Sequence, residues 1–181
     1  MMNTASPMVL EAPGVTDDDG QMLLGRQYLC LSIGGELYAV AIDMVREILE
    51  VGRMTTLPLT PPFVRGVMNL RGAVVPVIDL NARFGGTVST IGRRSGIIIV
   101  EVGHDHKDGA LVIGALVDGV SEVLEIAPDA IESVPVLGTT ISPDFMSGMA
   151  RAHGRMLGIL NLDHALERDA MAELIAGHQP H

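Results

Sequence analysis

The chain has 181 residues, of which 48% are hydrophobic but only 3% aromatic, with three Phe, two Tyr and no Trp. Its formal net charge of −10 argues against non-specific binding to nucleic acid or to anionic lipid. The single cysteine, Cys30, excludes an internal disulfide, and no apolar run approaches the roughly 18–20 residues of a membrane helix. These features predict a cytoplasmic protein with an aliphatic core.

The two ends of the chain differ in composition from its middle. Residues 1–25 contain the acidic run Asp17–Asp19 and no sustained periodicity, which predicts a disordered acidic tail. Docking of this run on a basic partner is the alternative. A folded domain is predicted over about 26–168, a C-terminal helix over about 161–175, and a frayed end over 176–181.

β-strand patterns dominate the folded part. The segments "QYLCLSI" (27–33) and "LYAVAI" (37–42) flank the turn residues "GGE", which predicts a hairpin. The segment "AVVPVIDL" (73–80) predicts a strand. Because Pro76 cannot donate to a ladder, that strand is expected to be an edge or bulged at this residue.

The segment "DMVREILE" (43–50) predicts one or two helical turns. Asp43 stands at the position of a capping residue. Four apolar residues are expected to face inward, namely Met44, Val45, Ile48 and Leu49.

The second half of the chain repeats the first. Residues 42–49 align with 117–124 at an offset of 75, and residues 66–84 align with 148–166 at an offset of 82. Two segments that recur in the same order predict one structural unit used twice.

Each repeated unit is too small to bury a large core alone. We therefore expect two small β-barrels packed on one shared aliphatic core. The first barrel is predicted over about 27–90 and the second over about 95–160, with the crossing between them at 85–96.

The turn "NLRG" raises the question of a binding residue. Its glycine Gly72 recurs in the second unit as Gly154, but the position of Arg71 is taken by His153. A requirement of the fold explains a glycine that is needed twice, but not an arginine that is supplied once. The repeat therefore favours a binding role for Arg71, and the alternative is a turn that merely tolerates an arginine.

No catalytic motif is found. The sequence has no GxxxxGK[ST] phosphate loop, no G-x-S-x-G elbow and no GxGxxG after a strand. The stretch "GHDHKDG" (103–109) is typical of a hairpin loop rather than a metal site. Glu47 and Glu122 are repeat equivalents, and solvated positions explain them better than an acid–base pair. The sequence therefore predicts no enzyme, no metal and no cofactor.

Three segments, "NLRG" with "VVPVIDL", "ALVDGVSEVL" and "GRMLGILNLDHAL", occur in an order that resembles the CheW family of bacterial chemotaxis coupling proteins. The resemblance runs from about Arg26 to Glu167. It implies a mainly β fold of two SH3-like five-stranded barrels that pack on a shared hydrophobic core, with short helices.

The resemblance also implies a non-enzymatic adaptor. Such a protein would join the cytoplasmic tips of methyl-accepting chemoreceptors to the regulatory domain of a CheA-type histidine kinase. It would be cytoplasmic, recruited to membrane receptor arrays, with no nucleic-acid partner and no membrane insertion. The alternatives are a CheW-like adaptor of another chemosensory pathway, such as surface motility or biofilm control, and a small-ligand-binding β-barrel.

Family positions carried over onto this sequence give two sets of candidate residues. The receptor-binding set is Arg71, Val45, Glu47, Ile48, Leu49 and Gly66. The kinase-binding set is Val117, Asp118, Gly119 and Val120. An ordinary core is the alternative for the apolar residues of the first set, and turn geometry is the alternative for its glycine.

Overall fold

The computed structural model describes residues 25–103, 110–134 and 143–166. The strands and helices in these ranges are β1 (Arg26–Ile33), β2 (Glu36–Ala41), β3 (Val45–Glu50), β4 (Val64–Leu70), β5 (Ala73–Asp79), α1 (Leu80–Arg83), β6 (Gly96–Val102), β7 (Leu111–Val117), β8 (Gly119–Ile126), β9 (Met146–Ala152), β10 (Arg155–Leu160) and α2 (Leu162–Ala165). Three 3-10 turns lie at Ile42–Met44, Pro128–Ala130 and Pro143–Phe145. The predicted acidic tail, the end of the predicted C-terminal helix and the frayed end lie outside the described residues.

The strands form two five-stranded sheets. The terminal sheet has the order β8-β1-β2-β10-β9, and the central sheet has the order β3-β6-β7-β5-β4. Each sheet contains one parallel pair, β2 with β10 in the terminal sheet and β5 with β7 in the central sheet. From Arg26 onward the described chain therefore starts in the terminal sheet, forms the whole central sheet, and returns to complete the terminal sheet. The expected mainly β fold is confirmed.

The internal repeat is present in the strand order, but the predicted barrel ranges are wrong. In the repeat, β1 corresponds to β6, β2 to β7, and so on to β5 and β10. When each strand is replaced by its counterpart, the strand order of the terminal sheet becomes that of the central sheet. Each sheet combines two strands of one half with three strands of the other, so 27–90 and 95–160 are not separate barrels. A sequence repeat identifies equivalent strands, but it does not determine which copy each strand pairs with.

The exchange of strands gives the two sheets a common core. One buried cluster contains Leu31 and Val40 of the terminal sheet together with Ile98 and Val100 of the central sheet. Burial of these aliphatic side chains stabilises the molecule by roughly 1.5–3 kcal/mol each. The prediction of a shared aliphatic core is confirmed.

The segment 43–50 forms no α-helix. After the 3-10 turn at Ile42–Met44 it forms β3, in which half-buried and exposed residues alternate, and Asp43 makes no side-chain cap. Asp43 instead forms an exposed ion pair with Arg26 at 3.0 Å. The prediction placed Ile48 inward, but Ile48 is exposed, because a strand turns successive side chains to opposite faces.

The strand β5 lies inside the central sheet, not at its edge. It pairs with β4 over Val64–Leu70, but its parallel pairing with β7 covers only Val77–Asp79. Pro76 precedes the ladder with β7, so its missing N–H donor is tolerated there. The β4–β5 hairpin does contain a register shift, but it lies between Val64 and Gly66 and not at Pro76.

The three phenylalanines meet where the two halves join. The Arg83 guanidinium carbon lies 5.5 Å from the Phe63 ring centroid and 4.8 Å from that of Phe145, and Phe84 stacks on Phe145. Arg83 Nε donates to the Ala165 carbonyl at 2.9 Å. Burial lowers the pKa of the Arg83 guanidinium. Phe63 and Phe145 are repeat equivalents, so one cation between the two rings links the halves.

Candidate functional site

Arg71 lies in a tight turn between β4 and β5. It adopts the left-handed conformation with φ +52°, and Gly72 follows with φ +89°. The Gly72 amide donates to the Asn69 side-chain oxygen at 3.1 Å. Two successive positive φ angles are typical of a two-residue hairpin turn, which leaves the side chain of its first residue outside the sheet.

The Arg71 side chain is held on the surface by Glu47 of β3. Arg71 Nη2 donates to Glu47 Oε1 at 2.9 Å, and Nη1 donates to Oε2, so the pair is bidentate. The Arg71 hydrogen bonds lower the pKa of the Glu47 carboxyl, and the same contact raises that of Arg71. The Arg71 side chain is 72% exposed. The arginine is therefore fixed in position but open to solvent.

Two N–H groups of Arg71 are used by Glu47, which leaves three of the five guanidinium N–H groups for a partner. A guanidinium held by a carboxylate is already oriented, so less side-chain freedom is lost when it binds. This arrangement can donate to a carboxylate or to backbone carbonyls of another protein.

An exposed apolar side chain, Val74, flanks this ion pair, and it is 69% exposed. Ile48 is 46% exposed, but it lies on the other face of β3, because it pairs with Ile98 of the shared core whereas Glu47 pairs with Ile99. A shallow groove is lined by Leu70, Val74 and Leu111 together with Arg46, Glu47 and Arg71. We call Glu47, Arg71 and Val74 the Arg71 surface. This surface lies on the central sheet. The sequence did not indicate Val74 as a surface residue, because the apolar composition of its strand is typical of a fully buried strand.

The remaining residues of the receptor-binding set are not displayed. Val45 and Leu49 are half-buried and pack against the hydrophobic clusters, as the alternative reading of an ordinary core requires. Gly66 has a φ of +148°, and an added Cβ would overlap the Thr55 carbonyl oxygen. At Gly148, its repeat equivalent, an added Cβ would overlap a side-chain methyl group of Ile131 and would lie 3.0 Å from the Glu132 carbonyl oxygen. Close backbone packing thus accounts for the glycine.

The kinase-binding set lies at the crossing from β7 to β8. Val117 and Gly119 are buried, and Val120 is half-buried against the shared core. The Asp118 carboxylate accepts from the Gly34 amide at 2.7 Å, which ties this crossing to the β1–β2 turn. These four residues therefore stabilise the crossing, and the exposed part of β8 begins only after them.

The terminal sheet carries the same turn and a similar pair. His153 has φ +52° and is followed by Gly154, as the alignment with Arg71 predicted. His153 Nε2 lies 3.5 Å from Glu122 Oε2. Glu47 and Glu122 therefore occupy equivalent positions on different sheets.

The described residues offer no metal site and no membrane helix. No group of three or more His, Cys, Asp or Glu side chains in the described ranges could hold a metal ion. None of the helices in these ranges is long and apolar enough to span a membrane. The stretch His104–His106 lies outside the described residues.

A family model, the CheW-like domain, matches residues 27–170. The chain belongs to the CheW-like family. It is 31% identical to the chemotaxis protein CheW of Klebsiella aerogenes over 149 residues, which cover 82% of this chain and 86% of that protein. It is 34% identical to the chemotaxis protein CheW of Rhizobium meliloti over 149 residues, 81% of this chain and 92% of that protein.

A solved CheW structure has the same architecture. The scaffolding protein TtCheW from Thermoanaerobacter tengcongensis matches with a TM-score of 0.70 and 36% identity, covering 79% of this chain and 88% of that chain. The two sheets described above are therefore the two SH3-like barrels of the CheW fold. The family relationship makes this CheW-like protein a chemotaxis adaptor by homology.

Proposed function

We propose that this protein couples methyl-accepting chemoreceptors to a CheA-type histidine kinase, and that chemoreceptors bind the Arg71 surface. The protein would act by binding alone, as a non-enzymatic scaffold recruited to receptor arrays at the membrane. The observation that carries the proposal is a bidentate Arg71–Glu47 pair that remains open to solvent beside the exposed Val74.

The chemistry of the Arg71 surface suits a helical partner. An amphipathic helix buries an apolar stripe and needs a fixed polar contact to set its register. Val74 supplies apolar area, and the free N–H groups of Arg71 supply the directional contact. The Leu49 side chain would support this surface from beneath, without touching the partner.

A single experiment tests the proposal. Binding of a chemoreceptor signalling fragment and of a kinase regulatory domain is measured separately by calorimetry, and then with both present. We expect the wild-type chain to bind each protein and to form a ternary complex. Failure to bind either protein would refute the adaptor function.

Arg71→Glu locates the receptor site. The substitution puts two carboxylates together and removes the donors, so we expect receptor affinity to fall at least about tenfold. His153→Glu is the matched control, because it makes the same change at the equivalent turn of the other sheet. Equal loss of receptor affinity in both variants would contradict the assignment to the Arg71 surface.

One comparison bears on the pathway. Protein FrzA of Myxococcus xanthus is 29% identical over 144 residues. The relatives of this chain therefore include a protein that is not named as a chemotaxis protein CheW. The alternative is therefore the same adaptor role in another chemosensory pathway. The receptor and kinase that bind with the higher affinity in the experiment above would decide between the two.

A further inference from the structure

The strand β3 contains a β-bulge at Arg46. Val45 and Glu47 pair with two consecutive residues of β6, Val100 and Ile99, which leaves Arg46 without a partner in the ladder. Residues two apart in a regular strand face the same side of the sheet. Because Arg46 is an extra residue, Val45 packs against the shared core whereas Glu47 lies on the opposite face, with Ile99. The bulge therefore puts the Glu47 carboxylate on the face where it binds the arginine of the β4–β5 turn.

The terminal sheet has the same bulge without the arginine. In β8, the two residues Ser121 and Glu122 lie opposite the single residue Cys30 of β1. Ser121 is the repeat equivalent of Arg46, and its hydroxyl donates to the Cys30 carbonyl at 3.2 Å. A serine thus satisfies the bulge, so the requirements of the fold do not explain an arginine at position 46.

Arg46 is held by a carboxylate in the same manner as Arg71. Its Nη1 lies 2.7 Å from Oε2 of Glu101 in β6, and the terminal sheet has Ser32 at the position equivalent to Glu101. The Arg46 side chain is 56% exposed and that of Glu101 is 25% exposed, while the values for Arg71 and Glu47 are 72% and 26%. In both pairs the carboxylate lies towards the sheet and the guanidinium lies towards solvent.

The two arginines line one groove. Arg46 and Arg71 both border the groove whose apolar lining includes Leu70 and Val74, and which encloses about 470 Å³. That volume lies within the range of ligand-binding pockets. Hydrogen bonding to Arg71 is the main cause of the lowered pKa of the Glu47 carboxyl, and the nearby charge of Arg46 lowers it further. A partner in this groove therefore meets two oriented guanidinium groups beside apolar side chains.

We infer that Arg46 is a second receptor-binding cation, which selects a receptor helix that carries a carboxylate next to the apolar side chain seated in the groove. The inference rests on the proposed function, in which the receptor binds the Arg71 surface. A guanidinium only donates hydrogen bonds, and the backbone carbonyls of a helix interior are already bonded within the helix, so a carboxylate is the strongest acceptor that a helix face offers. A helix without this carboxylate would desolvate Arg46 without pairing it, and would bind more weakly.

Exchanging the two charges distinguishes a contact from mere support of the bulge. Arg46→Glu with Glu101→Arg keeps an ion pair between β3 and β6 but presents the opposite charge to the groove. The affinities of the full chain for a chemoreceptor signalling fragment and for a kinase regulatory domain are measured by calorimetry. We expect receptor affinity to fall at least about tenfold, kinase affinity to change less than about twofold, and the midpoint of urea unfolding to stay the same. Normal receptor affinity in this variant would overturn the inference.

A neutral double variant keeps the test decisive if the exchanged pair disturbs folding. Arg46→Ser with Glu101→Ser copies the terminal sheet and leaves no unpaired charge, so the fold should survive. Receptor affinity should fall at least about fivefold and should depend less on salt. Arg26→Ser with Asp43→Ser is the matched control, because it removes an exposed arginine–carboxylate pair that lies outside the groove. Equal losses of receptor affinity in the two double variants would contradict the inference.

A compensating change in the receptor tests the contact directly. Replacing the acidic residues of the receptor fragment by Lys, one at a time, should restore affinity for the charge-exchanged variant at one position. Absence of rescue at every acidic position would refute a carboxylate partner. If Arg71→Glu weakens receptor binding but both Arg46 double variants bind normally, the inference is wrong and the proposed function stands. If the wild-type chain binds neither protein, the proposed function fails and the inference fails with it.

Discussion

The central sheet contains a buried ion pair between Arg65 and Asp79, and the terminal sheet has uncharged residues at the equivalent positions. The contribution of the ion pair to stability can therefore be measured by replacing it with those residues. Asp79 has no exposed surface and accepts from Arg65 Nη1 at 3.0 Å, from the Ser89 amide at 2.7 Å, from Ser89 Oγ at 2.9 Å and from the Ala82 amide at 3.3 Å. The repeat equivalents of Arg65 and Asp79 are Ser147 and Asn161. Asn161 caps α2 as Asp79 caps α1.

Asp79→Asn should destabilise the protein because it removes the charge opposite Arg65 and turns an amide N–H₂ towards existing donors. Breaking a buried pair by removing one partner costs about 3–5 kcal/mol. Arg65 keeps some contact with water, since its side chain is 21% exposed. We therefore expect a loss near the lower end, about 3 kcal/mol. Arg65→Ser combined with Asp79→Asn copies the terminal sheet, and the two changes should show a favourable coupling of about 1–2 kcal/mol.

The free energy of unfolding is measured in urea by far-ultraviolet circular dichroism for the wild type, both single variants and the double variant. These four values give the coupling energy between the two substitutions directly. The exposed Arg26–Asp43 pair provides the matched control cycle, Arg26→Ser with Asp43→Asn. An exposed pair contributes little, so its coupling should stay below about 0.5 kcal/mol. Additive effects of the two substitutions in the buried pair would refute the reasoning.

Two further predictions follow from burial. The Cys30 thiol has its pKa raised to about 11, mainly by burial and further by the Glu122 carboxylate, so the reactive thiolate is scarce at pH 8. Iodoacetamide should therefore modify Cys30 only after unfolding in urea, and rapid labelling of the native chain would contradict this. Gly66→Ala and Gly148→Ala should each lower the free energy of unfolding by about 1–3 kcal/mol, because each added Cβ overlaps a neighbouring segment. Lost receptor binding in Gly66→Ala without a loss of stability would instead indicate a direct contact.

Local features of the fold followed from the sequence. The β1–β2 hairpin was predicted from its turn residues, because Gly34 and Gly35 supply the positive φ angles that a tight turn requires. The equivalence of Arg71 and His153 was predicted from the alignment of the two halves, and both residues have a φ of +52°. These features depend on residues that are adjacent in sequence, or on likeness between segments.

Features that depend on long-range packing were missed. Glu47 and Arg71 are 24 residues apart, and only the folded central sheet brings their side chains together. Segment 43–50 was assigned to a helix because its apolar spacing fits one, but pairing of β3 with β6 overrides that local preference. The exposure of Val74 follows from the position of its strand beside the Arg71 turn, which apolar composition cannot reveal.

The exchange of strands between the two halves makes a prediction about folding. Fragment 1–90 contains β1–β5, but in the whole protein β1 pairs with β8, β2 with β10, and β5 with β7, all of which this fragment lacks. It would keep two isolated hairpins, which are marginally stable in water. Neither 1–90 nor 91–181 should therefore fold as a monomer. An equimolar mixture should recover the circular dichroism spectrum of the intact chain, since the break lies at the exposed residues Thr90 and Ile91. Cooperative unfolding of either fragment alone as a monomer would favour two sequential barrels and contradict the exchanged arrangement.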